Sequence, residues 1–370
     1  MLQLGITRRN YFSRKRESSY GALTDLSHVA NLTNEMGTPK PVFYSDTEEA
    51  VGYEEETSKR LLAQDAAIPI AGWASDKLMP LLLSFALGAD TKSTLGGVAC
   101  YQHLIAPAGL TTDLYSLTHE QHSIGAADAT AGSSFQWTGC TVNRFELTAT
   151  RKGWVTFSAD LIPRGDYNDG SAQTEANLSG PLEYYLFGNT AAWLSTGFLE
   201  DAFSVALPTV ANTRVTDLDA SGLLALSTHL REIHYIIDNY LLGDEGYGAN
   251  ASETGVRTSC PRGRRTQTLT FVLDFNTTTA AVQQYCLNNA GAFIPFGFEW
   301  SCVTGTLIAT GYYHGWKLLF PKVQLESADR SGANGPQYLN CTATVQADGT
   351  NPTVKAYHWN GDNVEYAAAS

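Results

Sequence analysis

RLLAQDAAIPIAGWAS (Arg60–Ser75) runs directly into DKLMPLLLSFALG (Asp76–Gly88), and the same order returns two hundred residues later. The second occurrence is RTQTLTFVLDFNTT (Arg265–Thr278) followed by TAAVQQYCLNNAG (Thr279–Gly291). Each pair reads as a β-type stretch and then a helix. Ser75 or Asp76 is positioned to cap the first helix, and Thr277 or Thr278 the second. Gly88 and Gly291 stand where each helix should stop, since glycine takes the left-handed backbone at little cost. A pattern repeated in order within one chain points to a duplicated unit.

Working outward, each half continues with aromatic-rich strands. The first runs FQWTGCTVNRFELTATRKGWVTFSADLI (135–162); the second runs YYHGWKLLFPKVQLES (312–327) and PQYLNCTATVQA (336–347). Apolar and polar residues roughly alternate in Val142–Thr150 and Leu339–Ala347, as in strands with one buried and one exposed face. The expected fold is mainly β: two tandem antiparallel β-sandwich or barrel domains, each flanked by a helix, plus an N-terminal arm. The expected boundaries are 1–59 for the arm, 60–205 for the first domain and 206–370 for the second. The arm carries GTPKP (Gly37–Pro41) and acidic clusters at Asp46–Glu49 and Glu54–Glu56. Pro163–Asn177 reads as loop and 180–220 as connecting material. STHLREIHYIIDNYLL (227–242) reads equally as a helix or a long strand. One larger irregular β-sandwich is the alternative to two units.

The 370 residues suffice for two cores. Charged residues are 16% of the chain, against roughly 25% in average usage, so much of the surface is neutral Thr, Ser, Asn, Gln and Gly. Such surfaces suit protein–protein burial, because desolvating a hydroxyl costs less than desolvating an ion. The formal net charge is −13, although Arg8, Arg9, Arg14, Lys15 and Arg16 form a basic cluster. This balance argues against gripping nucleic acid, which needs a cationic groove, but not against letting DNA slide past. The longest apolar run, near Leu78–Leu87, is too short to span a bilayer, and the first residues show no signal-peptide pattern. Cys100, Cys140, Cys260, Cys286, Cys302 and Cys341 form no CxxC pair and are expected to be free thiols.

Chemistry-bearing motifs are sparse. HEQH (His119–His122) lacks the four-residue spacing of a helical zinc site and lies in strand-like sequence, so a surface or interface pair is the reading. GDYNDG (Gly165–Gly170) is out of register with a calcium loop and reads as an Asx-rich turn. CPRGRR (Cys260–Arg265) has no interleaved aromatics, and GYGAN (Gly246–Asn250) is no phosphate loop. Trp137, Trp154, Trp300 and Trp316 lie in or beside β-patterned segments, where packing is their default use. No catalytic, cofactor-binding or metal-binding residues are assigned, and the chain is read as not an enzyme.

Four short stretches, in order, resemble the tail tube proteins of long-tailed phages that carry two tube domains in one chain. They are KRESSYGAL (Lys15–Leu23), GVACYQHLIAP (Gly97–Pro107), FQWTGCTVNRFELTAT (Phe135–Thr150) and LLFPKVQLES (Leu318–Ser327). The resemblance covers most of the chain, with KRESSYGAL opening it and the other three stretches falling within about residues 60–350. It implies a structural virion protein, made in the host cytoplasm and located in the virion tail. It further implies homotrimeric, pseudo-hexameric rings that stack into a tube, with DNA passing through the lumen without specific binding. The implied partners are further copies of the chain, a tape measure protein, and terminator or baseplate proteins, with no cofactor and no membrane. Another ring-forming tail component, or a carbohydrate-binding β-sandwich module, is the alternative. A metal-dependent hydrolase through His119 and His122 is the remaining reading.

Overall fold

The computed structural model describes residues 7–24, 26–30, 32, 40–45, 59–109, 113–124, 134–169, 182–197, 218–247, 255–287, 295–332 and 335–368. The fold is mainly β and antiparallel. Its first part contains β1 (Thr7–Ser13), β2 (Leu26–Ala30), β3 (Lys40–Ser45), β4 (Lys59–Asp65), β5 (Ile68–Trp73), α1 (Leu78–Leu87) and β6 (Gly88–Thr94). Then follow β7 (Tyr101–Pro107), β8 (Leu117–Ile124), β9 (Ser134–Thr150), β10 (Val155–Ile162) and β11 (Tyr167–Asp169). The second part contains β12 (Thr190–Ser195), β13 (Leu224–Ala225), β14 (Leu230–Asp238), β15 (Thr266–Asp274) and α2 (Ala280–Leu287). It ends with β16 (Phe296–Ala309), β17 (Tyr312–Ser331), β18 (Tyr338–Val345) and β19 (Lys355–Asn360).

The pairings repeat. In the first part the ladder runs β2–β1–β8–β9–β10–β5, and β11 adds to the first half of β9. In the second it runs β13–β12–β16–β17–β18–β15, and β19 adds to the first half of β17. The helix follows the last strand of each ladder: α1 follows β5, and α2 follows β15. Both long strands change partners midway. β9 does so near Gly139, whose φ of +66° suits glycine, and β17 does so around Pro321, which has no N–H to give a ladder. Two seams join the repeats. β14 pairs with both β15 and β9, and β7, in a hairpin with β6, pairs with β19.

α1 is apolar all round, and all ten of its residues are buried. Ser75 Oγ accepts from the Leu78 N–H at 3.2 Å, and Gly88, at φ +99°, returns its N–H to the Ser84 carbonyl. Asp76 serves elsewhere, accepting from the Glu183 N–H at 3.1 Å. At α2 the cap is Asn276, whose Oδ1 takes the N–H groups of Thr278 at 2.9 Å and Thr279 at 3.0 Å, in place of the expected Thr277 or Thr278. Gly291 lies outside the described residues.

The chain departs from the expected layout in the N-terminal arm and at β12, and it settles the one stretch that read equally as helix or strand. Residues 7–13, expected within an arm, form β1 between β2 and β8, because Tyr11 and Phe12 are buried at 2% and 0% exposure. Glu17 latches the following stretch to the first repeat. Its carboxylate accepts from the N–H groups of Gly21 and Gly139, both at 2.9 Å, and from the hydroxyls of Ser116 at 2.6 Å and Thr118 at 3.0 Å. β12 lies before residue 205 yet pairs with β16 in the second ladder. The stretch 227–242 contains the strand β14, in which Ile233, Tyr235 and Ile237 are buried.

Candidate functional surface

The surface that both repeats build together is the outer face of the sheet β5–β10–β9–β14–β15–β18–β17. On β9 the inward side chains Phe145, Leu147 and Ala149 are fully buried, so strand alternation turns Arg144, Glu146, Thr148 and Thr150 outward. The register aligns these into rows that cross the seam. Thr156, Thr148, His234, Thr270 and Thr342 stand opposite one another on five successive strands. Ser158, Glu146, Ile236, Thr268 and Thr344 make a second row, and Asp160, Arg144, Asp238 and Thr266 a third. From β10 to β18 the face is thus hydroxyl-rich, with carboxylates around one guanidinium, and on β5 the exposed Trp73 stands opposite Thr156 at the end of the first row.

Its charged groups are tied to one another. Arg144 lies 3.4 Å from Glu146. His234 bonds Glu232 through Nε2 at 2.8 Å and Thr148 through Nδ1 at 2.9 Å, with Glu146 at 3.5 Å. Partial burial raises the Asp160 carboxyl above its ordinary range; Arg144 opposes the rise, while Asp238 and Glu146 add to it. A hydroxylated and acidic face repels phosphate.

At the seam, β9 Arg144–Thr150 pairs with β14 through seven registered positions, from Asp238 to Glu232. Asn239, just past β14, donates Nδ2 to the carbonyls of Ala86 at 3.0 Å and Val142 at 2.9 Å, pinning the end of α1. Arg265 donates to Leu87 O at 3.0 Å and to Asn239 Oδ1 at 2.7 Å. Burial and the nearby Arg262 pull the Arg265 guanidinium down to about 10.

The corresponding edge of the second repeat, β17 Gln324–Ser331, pairs with β18 on one side. On the other side, among the described residues, no strand joins it. Two α2 side chains cap its carbonyls instead: Gln283 Nε2 donates to Ala328 O at 3.3 Å, and Cys286 Sγ to Glu326 O at 3.9 Å. In α2 itself Val282 alone is buried, and Leu287 is 63% exposed. The strand before β5 is β4, the positional counterpart of β14. Among the described residues it pairs only with β3, in a separate two-stranded hairpin.

The motifs marked in the sequence take structural places. HEQH lies on β8; His119 is buried, donates Nδ1 to Tyr11 O at 3.1 Å and stacks on Phe12 at 4.4 Å. No metal-holding group of three His, Cys, Asp or Glu side chains occurs among the described residues. GDYNDG, read as a turn, contributes β11, and Asp166 lies 3.7 Å from Arg164. Cys260 and Arg265 of CPRGRR are buried or half-buried, Arg265 in the seam just described. Asn250 lies outside the described residues. All six cysteines are free thiols. Trp137, Trp300 and Trp316 are core residues, whereas Trp154, 40% exposed, stacks on Trp73 at 5.6 Å with Tyr184 edge-on to both. A cavity of about 340 Å³ lies under Arg16–Tyr20, but the Glu17 carboxylate beside it is already filled by its four donors.

Sequence reasoning alone does not assign the outward face. Its signal lies in the Thr residues at alternate positions of TQTLTF and NCTATV, which mean little until the register aligns them. No protein-family model matches the chain, and no characterised protein matches its sequence.

Proposed function

We propose that the chain is a structural subunit that closes into rings and stacks into a hollow tube, the tail tube of a long-tailed phage. The observation that carries this reading is the seam between β9 and β14. There the open edge of one repeat is completed by the leading strand of the next, a head-to-tail contact made once inside the chain. A head-to-tail contact that recurs generates a ring when its rotation closes. The second repeat presents the same edge on β17 without a strand partner among the described residues, and the first repeat holds its leading strand β4 away from β5. A second copy supplies what each lacks. Three chains then give six similar lobes, each of the sandwich kind expected from the sequence.

In such a ring the hydroxyl rows face the channel, and their carboxylates keep DNA from adsorbing. Assembly takes place in the host cytoplasm and the product resides in the virion tail. Its neighbours there are a tape measure protein and terminator or baseplate proteins. No catalytic role is part of this reading. Negative-stain microscopy of the purified protein at rising concentration and two salt levels tests it: hollow tubes or stackable rings are expected, together with abundance in the tail fraction of virions. Compact single chains at every concentration, with no tail association, contradict it. The exposed Trp73–Trp154–Tyr184 cluster favours one second reading, a carbohydrate-binding module, which calorimetric titration with glycans separates from the first.

A further inference from the structure

Between the repeats, residues 182–189 do more than connect. They cross the corner where β5 leaves the sheet and β10 enters it. Tyr185 fills the gap: its N–H donates to Ala74 O at 3.3 Å, and its carbonyl accepts from the Val155 N–H at 2.8 Å, while Ala74 N–H donates to Val155 O at 2.8 Å. Bridges at Ser75–Tyr184 and Trp154–Leu186 flank it, and Phe187 N–H donates to Gly153 O at 3.0 Å. Tyr185 and Phe187, two apart, are buried. A few residues later the chain enters β12. The leader of the second repeat is therefore docked as a short strand into the corner of the first.

The second repeat has the same corner. Phe275 N–H donates to Gln337 O at 2.9 Å, the counterpart of Ala74 and Val155. Among the described residues no bridge or backbone bond reaches the other two groups, the Phe275 carbonyl and the Gln337 N–H. Pro336 and Gln337 are exposed. The walls are already set: Arg330 lies over the Phe275 ring at 4.0 Å, and Arg231 over the Tyr338 ring at 4.4 Å. An exposed donor and acceptor side by side form an edge that an extended segment can join.

We infer that this corner receives the residues that lead into β1, residues 1–6, from a second copy of the chain. β1 holds in the first repeat the place that β12 holds in the second, so its leader corresponds to 182–189. That leader reads MLQLGI, with Leu2, Leu4 and Ile6 at alternate positions, as Tyr185 and Phe187 alternate in the docked segment. The described residues hold two repeats, so one leader and one corner are left over, and a neighbouring copy joins them. The inference rests on the ring reading and adds to the β17 edge a second, separate point of contact.

Two variants test it. A mixture of Leu4→Cys protein with Gln337→Cys protein is oxidised mildly, and the linked peptides are identified by mass spectrometry. Mixing two single variants lets only a link between chains join these positions. The expected result is a Leu4–Gln337 disulfide in the ring fraction, and none when either variant is oxidised alone. Gln337→Pro removes the N–H without altering the leader, at a strand entrance that tolerates proline. It is expected to raise the concentration at which rings form by up to roughly tenfold, the effect of losing one hydrogen bond. Rings at an unchanged concentration with no such disulfide overturn this inference and leave the ring reading standing. Failure of the unmodified chain to form any ring overturns both.

Discussion

α1 and α2 occupy the same place in their repeats, each directly after the last strand of its ladder, yet they live in different surroundings. All ten residues of α1 are buried, under a seam closed by β14, Asn239 and Arg265. In α2 only Val282 is buried, and its side chains cap carbonyls on a strand edge that, among the described residues, has no strand beyond it. Under the proposed ring assembly, that difference in burial separates a contact made inside the chain from one left for another copy. The sequences agree: LMPLLLSFAL is apolar nearly throughout, whereas AAVQQYCL carries two glutamines, one of which caps the Ala328 carbonyl on that edge.

The largest expected effect breaks the comparison directly. Leu82→Ala in α1 should destabilise the isolated chain by about 2–5 kcal/mol, from lost burial plus the cavity left behind. Leu287→Ala in α2 should change it by less than about 0.5 kcal/mol. Chemical denaturation of both variants gives the contrast, and equal losses would erase it.

Acid sharpens the comparison next, through the first repeat. Burial pulls the His119 imidazole down from its ordinary 6.5 to about 3, the bond to Tyr11 O only partly opposing it. A folded-state pKa below the unfolded one means that this stabilisation is complete above about pH 6.5. It is lost as pH falls toward about 3, because the unfolded chain takes up the proton first. Between pH 7.5 and 4.5 this group should cost ~2–3 kcal/mol of stability. Denaturation of His119→Phe at both pH values should show a correspondingly smaller loss; an unchanged loss would assign the acid sensitivity elsewhere.

Asn239→Ala removes both donations that tie β14 to Ala86 and Val142, and should cost about 2 kcal/mol. Amide exchange should speed up first along the β9–β14 seam; exchange unchanged there would mean that Asn239 does not hold it. Gly88→Ala should cost ~1–2 kcal/mol, read as a lowered Tm. Its backbone sits at φ +99° and an added Cβ would come within 2.9 Å of Ala108 Cβ. An unaltered Tm would show that the chain turns there without needing the left-handed conformation.

Much of this layout is legible in the sequence alone. The duplicated strand-then-helix order, the Ser75 cap and the Gly88 stop are local signals, and the alternation in Val142–Thr150 and Leu339–Ala347 marks strands with one buried face. The remainder depends on distant partners. In β14, Ile236 is apolar on the outward face beside inward Ile233, Tyr235 and Ile237, so neither a period of two nor 3.6 stands out. In TRRNYFS the basic residues suggest a solvated arm, but the burial of Tyr11 and Phe12 against β8 decides otherwise. RLLAQDAAIPIAGWAS reads as one stretch, whereas β4 and β5 divide at Ala66 and Ala67 and go to different partners. The outward face is least legible, since its rows exist only once five strands are in register.

The central claim is that the β9–β14 seam is an internal copy of a contact between chains. Cryo-electron microscopy of the assembled particle, at a resolution that traces strands, tests it most directly. The account expects three chains per ring, six similar lobes, and a strand from the neighbouring chain continuing the sheet along β17 Gln324–Ser331. A particle in which that edge of β17 faces solvent, or is covered by something other than a strand of another copy, would contradict it.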